Sequence, residues 1–427
     1  MDRTIHPINR LSGSITPPGD KSISHRALMM GAIGNGTTTI IHCSPGKDIK
    51  STQNCLKQLG IIIESEGEKI HVHGRGMRGL FPPQQALDAG NSGTTMRLLS
   101  GILAAQPFES TITGDTSLSK RPMNRIVDPL RQMHAQIDPR NGSYAPLHIH
   151  GGQLSSITYR TPVPSAQIKS AILLAGLYAN GTTSVIEPSL SRDHTERMLP
   201  CFGIEVNRDC LEVSVEGPAQ LQSADISVPG DISSAAFFII AASLIGHSNL
   251  LLKNVGINPT RKGILDVLEN MGGQISYQNK RESNNEPIAD LLIKSSKLYG
   301  VSIEGILIPK VIDEIPLIAI AATQAKGKTM VRDAKELRVK ETDRITSVAT
   351  NLKKMGVKID VFDDGFALTG PQKLHGTVID SYGDHRIAMS FAIAGLIAEG
   401  KTTIQNAECA EISYPGFFET LEKMIDD

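Results

Sequence analysis

The sequence predicts an α/β protein built from six copies of one supersecondary unit, and three observations carry this. Short strands opened by Thr, Ser or Lys fall near Thr37, Ser110, Thr182, Ser248, Lys328 and Lys401, spaced by 73, 72, 66, 80 and 73 residues. Dividing 427 residues by six gives about 71, so the repeat spans the whole chain. Before each strand runs a helix of about three turns that is apolar nearly all round, as a helix buried on every side must be. After each strand comes an amphipathic helix, most often closed by Leu-Gly, Phe-Gly or Met-Gly.

The six apolar helices are predicted at residues 25–34, 94–105, 167–179, 233–245, 314–325 and 385–398. The second helix of each unit shows apolar residues on one face only. Ile345, Val348, Leu352 and Met355 recur at helical spacing, as do Ile264, Leu265, Leu268 and Met271, and then Phe417, Leu421 and Met424. Gly60, Gly203, Gly272 and Gly356 stand where a left-handed helix cap favours glycine. Glu66-Gly67, Asn141-Gly142 and Asp364-Gly365 then signal hairpins. Each unit therefore reads helix–strand–helix–strand–strand. A change of style near Val228-Pro229-Gly230 marks a domain boundary.

Composition excludes several classes. The formal net charge is −1, with 40% hydrophobic and 20% charged residues, so no global field draws the chain to nucleic acid or an anionic membrane. Five cysteines without a C-x-x-C pair argue against a disulfide framework or a zinc site. The opening Met1-Asp2-Arg3-Thr4-Ile5-His6 has no apolar signal segment, and the longest apolar run, residues 235–246, is too short for a bilayer. The expectation is a soluble, cytoplasmic, monomeric protein. His71 and His73, and His148 and His150, alternate along strands and read as partly exposed strand histidines rather than metal ligands.

A buried helix has unpaired N–H groups and a partial positive charge at its start, so the segment leading into it must cap it or offer it to an anion. The leaders differ. Lys21 and Arg26 flank hydroxyls in Pro18-Gly19-Asp20-Lys21-Ser22-Ile23-Ser24-His25-Arg26, a grip for phosphate or carboxylate. The same residues also read as Ser22 capping the helix between two solvated cations. Gly90-Asn91-Ser92-Gly93-Thr94 lets backbone approach a ligand, and Ser165-Ala166-Gln167 supplies a hydroxyl at a helix start. Asp193 reads as the cap of the helix carrying Glu196 and Arg197, and Asp313 as an N-cap or a working carboxylate. In Leu337-Arg338-Val339-Lys340-Glu341-Thr342-Asp343-Arg344, six of eight residues are charged or polar. The segment enters a helix, where Lys340 and Arg344 are expected four apart on one side, and a bound anion would relieve their repulsion. Asp384-His385-Arg386 begins the last apolar helix.

Taken in order, these motifs, with Lys120-Arg121-Pro122, resemble the 5-enolpyruvylshikimate-3-phosphate synthases from end to end. The resemblance implies a two-domain inside-out α/β barrel, the enolpyruvyl transferase fold, with three repeats per domain. Residues 1–19 and 229–427 would form one domain and 20–228 the other, with the active site in the cleft between them. It implies transfer of the enolpyruvyl group of phosphoenolpyruvate to the 5-hydroxyl of shikimate 3-phosphate, with release of phosphate and with no cofactor or metal. By the same resemblance Lys21, Ser22, Arg26, Ser165, Ala166, Gln167, Arg192, Asp313 and Lys340 would serve shikimate 3-phosphate. Lys21, Gly93, Arg121, Gln167, Arg344 and Arg386 would serve phosphoenolpyruvate. Asp313 would be the base for the hydroxyl, Glu341 the proton shuttle at the methylene carbon, and Lys21 a contact to both substrates.

Three positions depart from the common pattern. Ala166 stands where many members have a second serine, Glu336 where Asn is frequent, and Ile412 near a usual lysine. Ala166 with Ser191-Arg192-Asp193-His194 resembles the divergent subgroup called class II, and Gly93 implies sensitivity to glyphosate. One rival is UDP-N-acetylglucosamine enolpyruvyl transferase, whose reactive Cys lies five residues before the Arg-Pro pair; here that position is Thr116. Another is a non-catalytic repeat scaffold, against which the divergence of the six leaders argues.

Overall fold

The computed structural model describes residues 1–425. Its six buried helices are α1 (Lys21–Ile33), α2 (Gly93–Leu103), α3 (Ala166–Gly176), α4 (Ile232–Leu244), α5 (Ile315–Gln324) and α6 (His385–Gly395). Their ends lie within about a turn of the positions read from sequence. The largest difference is at α1, which starts four residues early, at Lys21. Asp20, not Ser22, is its cap: the Asp20 carboxylate accepts the Ile23 N–H at 2.9 Å. The polar residues of that first turn had hidden it.

The second repeat shows the common plan. After α2 comes the strand Glu109–Thr113, then the helix Asn124–Gln132, then a hairpin of Gln136–Arg140 and Tyr144–His150. The hairpin's return strand pairs antiparallel with the first, Ser110 opposite Ile149 and Ile112 opposite Leu147. Asn141 and Gly142 both take positive φ at its turn, 51° and 74°. A short strand, Leu87–Asp88, adds in parallel on the other edge. Six such sheets recur, five of four strands and one of three. In the sixth repeat no hairpin follows among the described residues; Arg3–Ile5 pairs antiparallel with Thr402–Gln405 instead.

Two strands are exchanged between repeats. Ser12–Ile15 precedes α1 in the chain but pairs with Asn249–Gly256, the strand after α4. Asp225–Ser227 precedes α4 but pairs with Asn35–Ile41, the strand after α1. The chain accordingly separates into two compact units. One comprises Met1–Pro18, Pro229–Glu282 and the chain from Pro287 onward; the other is Gly19–Val228 with Ser283–Glu286.

Each unit has its own core, centred on three of the buried helices. In the first, α4, α5 and α6 pack on one another, and Phe237, Phe238, Tyr414 and Phe417 form a ring cluster with centroids 5.6–5.9 Å apart. In the second, α2 packs on α3 so closely that a Cβ at Gly101 would lie 2.3 Å from the Ala171 carbonyl oxygen. Only glycine permits that approach.

Candidate active site

The candidate residues fall into two groups, one in each unit. In the unit 19–228, the Lys21 Nζ donates to Asp48 Oδ2 at 2.9 Å. Arg26 is buried at 2% exposure, with all three nitrogens engaged: Nε donates to Thr195 Oγ1 (2.7 Å), Nη1 to the Ser22 carbonyl (2.8 Å) and Nη2 to Ser170 Oγ (2.6 Å). Burial lowers its pKa to about 10, partly countered by Glu196 and Asp20. Arg26 thus fixes the leader that carries Lys21 and Ser22.

Gly93 opens α2 behind Ser92, whose hydroxyl caps the Thr95 N–H at 3.1 Å. Inside the helix, Thr95 joins Thr52 and His25 in a buried chain of 2.7 Å contacts. Burial, with Lys21 and Arg26 nearby, holds His25 well below its usual pKa, hence neutral. Arg121 donates to Asn91 Oδ1 at 3.0 Å, and Asn91 donates to Asp115 at 2.7 Å. Ser165 caps α3, and Ala166 is its first residue, contributing no hydroxyl. Gln167 is held from both ends: Arg97 Nη1 donates to its Oε1 at 2.7 Å, and its Nε2 donates to Thr94 Oγ1 at 3.0 Å. Arg192 lies close enough to Arg26 to depress its pKa. Asp193 precedes the helix His194–Met198, but its carboxylate takes the Arg197 Nε at 2.8 Å.

In the other unit, Arg344 is the centre. It is 1% exposed, and its guanidinium gathers three carboxylates. Asp384 accepts from Nε and Nη2 at 2.8 and 3.3 Å, Glu341 from Nη2 at 2.6 Å, and Asp313 from Nη1 at 3.4 Å. Burial alone would lower the Arg344 pKa, yet Asp384, Glu341 and Asp313 overcome it and raise that pKa. Lys340 Nζ and Arg386 Nη2 approach Asp313 at 3.8 and 4.0 Å. Asp313 is therefore not the cap of α5, whose N-cap position belongs to Glu314. Glu314 instead accepts from Arg386 Nη1 at 3.3 Å and from the Ser233 hydroxyl.

The expected helical pairing of Lys340 with Arg344 does not form. The helix Arg344–Lys354 starts at Arg344, capped by Asp343. Lys340 ends a 3-10 stretch, Lys335–Val339, in extended backbone. Asp384 caps α6 through the Arg386 N–H at 2.8 Å while holding Arg344.

Sequence reading missed Asp20, Asp48, Arg97, Thr195 and Glu314 as supports, and the buried Lys169, Glu187 and Glu196. The one available signal was a lysine inside an otherwise apolar helix. His150 bonds to Glu109 at 3.1 Å and Asp138 at 3.2 Å, and His73 to Glu64 at 3.0 Å. Among the described residues no group of three or more His, Cys, Asp and Glu is placed to hold a metal ion. Burial pushes the Cys43 thiol up to about 11 and the Cys55 thiol to about 12, so neither is a ready nucleophile.

The fold is that of the enolpyruvyl transferases. The solved enolpyruvyl transferase NikO from Streptomyces tendae superposes with a TM-score of 0.81 at 20% identity, covering 99% of this chain and 97% of that one. Within that class the chain belongs to the EPSP synthase (3-phosphoshikimate 1-carboxyvinyltransferase) family, which it matches over residues 5–421. It is 56% identical over 421 residues to the 3-phosphoshikimate 1-carboxyvinyltransferase of Brevibacillus brevis, covering 98% of this chain and 99% of the relative. To that of Bacillus thuringiensis subsp. konkukian it is 54% identical, covering 99% of each. The solved EPSP synthase from Acinetobacter baumannii superposes with a TM-score of 0.89 at 46% identity, covering 99% of this chain and 98% of that one.

Proposed function

We propose that this protein transfers the enolpyruvyl group of phosphoenolpyruvate to the 5-hydroxyl of shikimate 3-phosphate. The reaction needs a proton delivered to the methylene carbon and one taken from the hydroxyl. The hydroxyl oxygen bonds to C2, giving a tetrahedral intermediate. Loss of a methyl proton then expels phosphate and regenerates the double bond. Two carboxylates in different roles, set among cations, meet that need.

The observation that carries this reading is the Arg344 guanidinium, which holds both carboxylates at once, Asp313 at 3.4 Å and Glu341 at 2.6 Å. In this reading Asp313 accepts the hydroxyl proton, and Glu341 moves the proton at the methylene carbon. Arg386 and Lys340 beside Asp313 supply charge for the substrates' anionic groups. An anion that reaches Arg344 competes there with three carboxylates, so Arg344 chiefly orients them. Lys21, Ser22, Arg26, Ser165, Gln167 and Arg192 serve shikimate 3-phosphate, and Lys21, Gly93, Arg121 and Gln167 serve phosphoenolpyruvate.

The reading includes a monomeric, cytoplasmic enzyme, in keeping with five free cysteines. No described helix is long and apolar enough to cross a membrane. The deciding experiment measures phosphate release from phosphoenolpyruvate with shikimate 3-phosphate and, separately, with UDP-N-acetylglucosamine. Release with shikimate 3-phosphate alone is expected. Release only with the sugar nucleotide, or with neither, overturns the reading.

A further inference from the structure

Lys169 is 2% exposed in the middle of α3, among residues that are otherwise almost all apolar. Its Nζ lies 2.6 Å from Glu187 Oε2 and 2.7 Å from Glu196 Oε1, and both carboxylates are 3% exposed. Burial alone would lower the lysine's pKa; Glu196 and Glu187 outweigh it and hold Lys169 charged. Charges so deep are costly, and apolar side chains of similar volume often serve stability as well or better. A use other than stability is therefore worth seeking.

It lies in what Glu187 holds. Its Oε1 accepts the backbone N–H of Ser165 at 3.2 Å, and its Oε2 that of Ser191 at 3.4 Å. Ser165 is the cap of α3, two residues before Gln167; Ser191 immediately precedes Arg192. One carboxylate, pinned by Lys169, therefore ties together two separate ligand-bearing loops. The rest of the hub reaches Arg26. Glu196 follows Thr195, and Thr195 Oγ1 contacts Ser170 Oγ at 2.6 Å while accepting from Arg26. Ser170 is the neighbour of Lys169 in α3.

We propose that Glu187 is a positioning residue, which sets the spacing between Ser165 and Arg192 and so shapes the seat for the substrate's phosphate. This rests on assigning those two residues to the phosphate group of shikimate 3-phosphate. Glu187 touches no substrate; its effect passes through the two amides. Loss of one of them shifts its loop, and a shift of about 1 Å at a binding group is enough to cost up to ~100-fold.

The test compares how tightly the full-length enzyme binds shikimate 3-phosphate and shikimate, which lacks the phosphate. In Glu187→Gln the preference for the phosphorylated ligand should fall roughly 10- to 100-fold. KM for shikimate 3-phosphate should rise in parallel. The kcat at saturation should stay within about threefold. Glu187→Asp keeps the charge beside Lys169 on a shorter arm and should retain part of the preference; it carries the test should Glu187→Gln not fold. A Glu187 variant that folds and keeps the wild-type preference within about twofold overturns the proposal. If the wild-type protein shows no preference for shikimate 3-phosphate over shikimate, the substrate assignment itself fails, a distinct result.

Discussion

Replacing Gly93 by alanine should weaken phosphoenolpyruvate binding by a route the structure makes explicit. The added Cβ would lie 2.6 Å from Arg97 Nη1, and its next neighbours are more distant, Arg97 Cζ at 3.5 Å and Leu118 Cδ1 at 3.7 Å. The clash falls on the flexible end of one side chain, so the fold yields cheaply. Moving Nη1 out to an ordinary 3.4 Å contact takes 0.8 Å. That nitrogen is also the donor to Gln167 Oε1 at 2.7 Å, and a displacement along that bond stretches it to 3.5 Å. A charge-assisted hydrogen bond weakened to that length forfeits about 1–2 kcal/mol, or roughly 5- to 30-fold in affinity. Stability should barely change, because alanine favours the first turn of a helix by up to about 1 kcal/mol over glycine. Steady-state kinetics should show the KM for phosphoenolpyruvate raised by that factor, with glyphosate inhibition weakened at least as much. The thermal midpoint should stay within about 2 °C. An unchanged KM in the folded variant would refute the link from Gly93 through Arg97 to Gln167.

Other outcomes follow from the same geometry. Glu341→Gln should lower kcat by about 10²–10⁴, as expected for a general acid–base group, and near-normal turnover would remove Glu341 from that role. Asp384→Asn leaves the buried Arg344 short of its bidentate partner, and should cost about 3 kcal/mol in urea unfolding; a loss below about 1 kcal/mol would mean that Glu341 and Asp313 suffice. His25 has a depressed pKa in the folded protein, so below pH 6.5 the unfolded chain binds a proton that the native state refuses. Stability should then fall with acidification by up to about 1.4 kcal/mol per pH unit, down to the native pKa. His25→Asn should flatten that part of the slope in unfolding midpoints taken from pH 7.5 to 5.5, and identical slopes would rule the histidine out.

The sixfold repeat was legible because its signals are local: a buried helix, a glycine cap and a hairpin turn each declare themselves within a dozen residues. Sheet membership was not. Nothing in Ser12-Gly13-Ser14-Ile15 says that its partner is Asn249–Gly256, since a four-residue strand has no room to encode a distant register. At the site, density of charge drew attention to Lys340, Glu341 and Arg344, while Arg386 came only with the family resemblance. Charge could not tell Asp313 from a cap, because aspartate is itself a favoured N-cap residue; Glu314 holds that position, without a side-chain cap bond. The helical spacing inferred for Lys340 failed because Asp343 caps a later start. Lys169 was passed over because one polar residue in an apolar helix is ordinary; only tertiary packing brings Glu187 and Glu196 to it.

The exchanged strands also order the protein's synthesis. All strands of the unit 19–228 have left the ribosome once Asp225–Ser227 emerges to pair with Asn35–Ile41. Arg3–Ile5 has no such early partner: Arg3 pairs with Ile404. At about 5–20 residues per second, it waits roughly 20–80 s for the last strand to appear. Throughout that interval Arg3–Ile5 stays without its partner. The sheet that joins Arg3–Ile5 to Thr402–Gln405 can therefore close only when the sixth repeat has been translated.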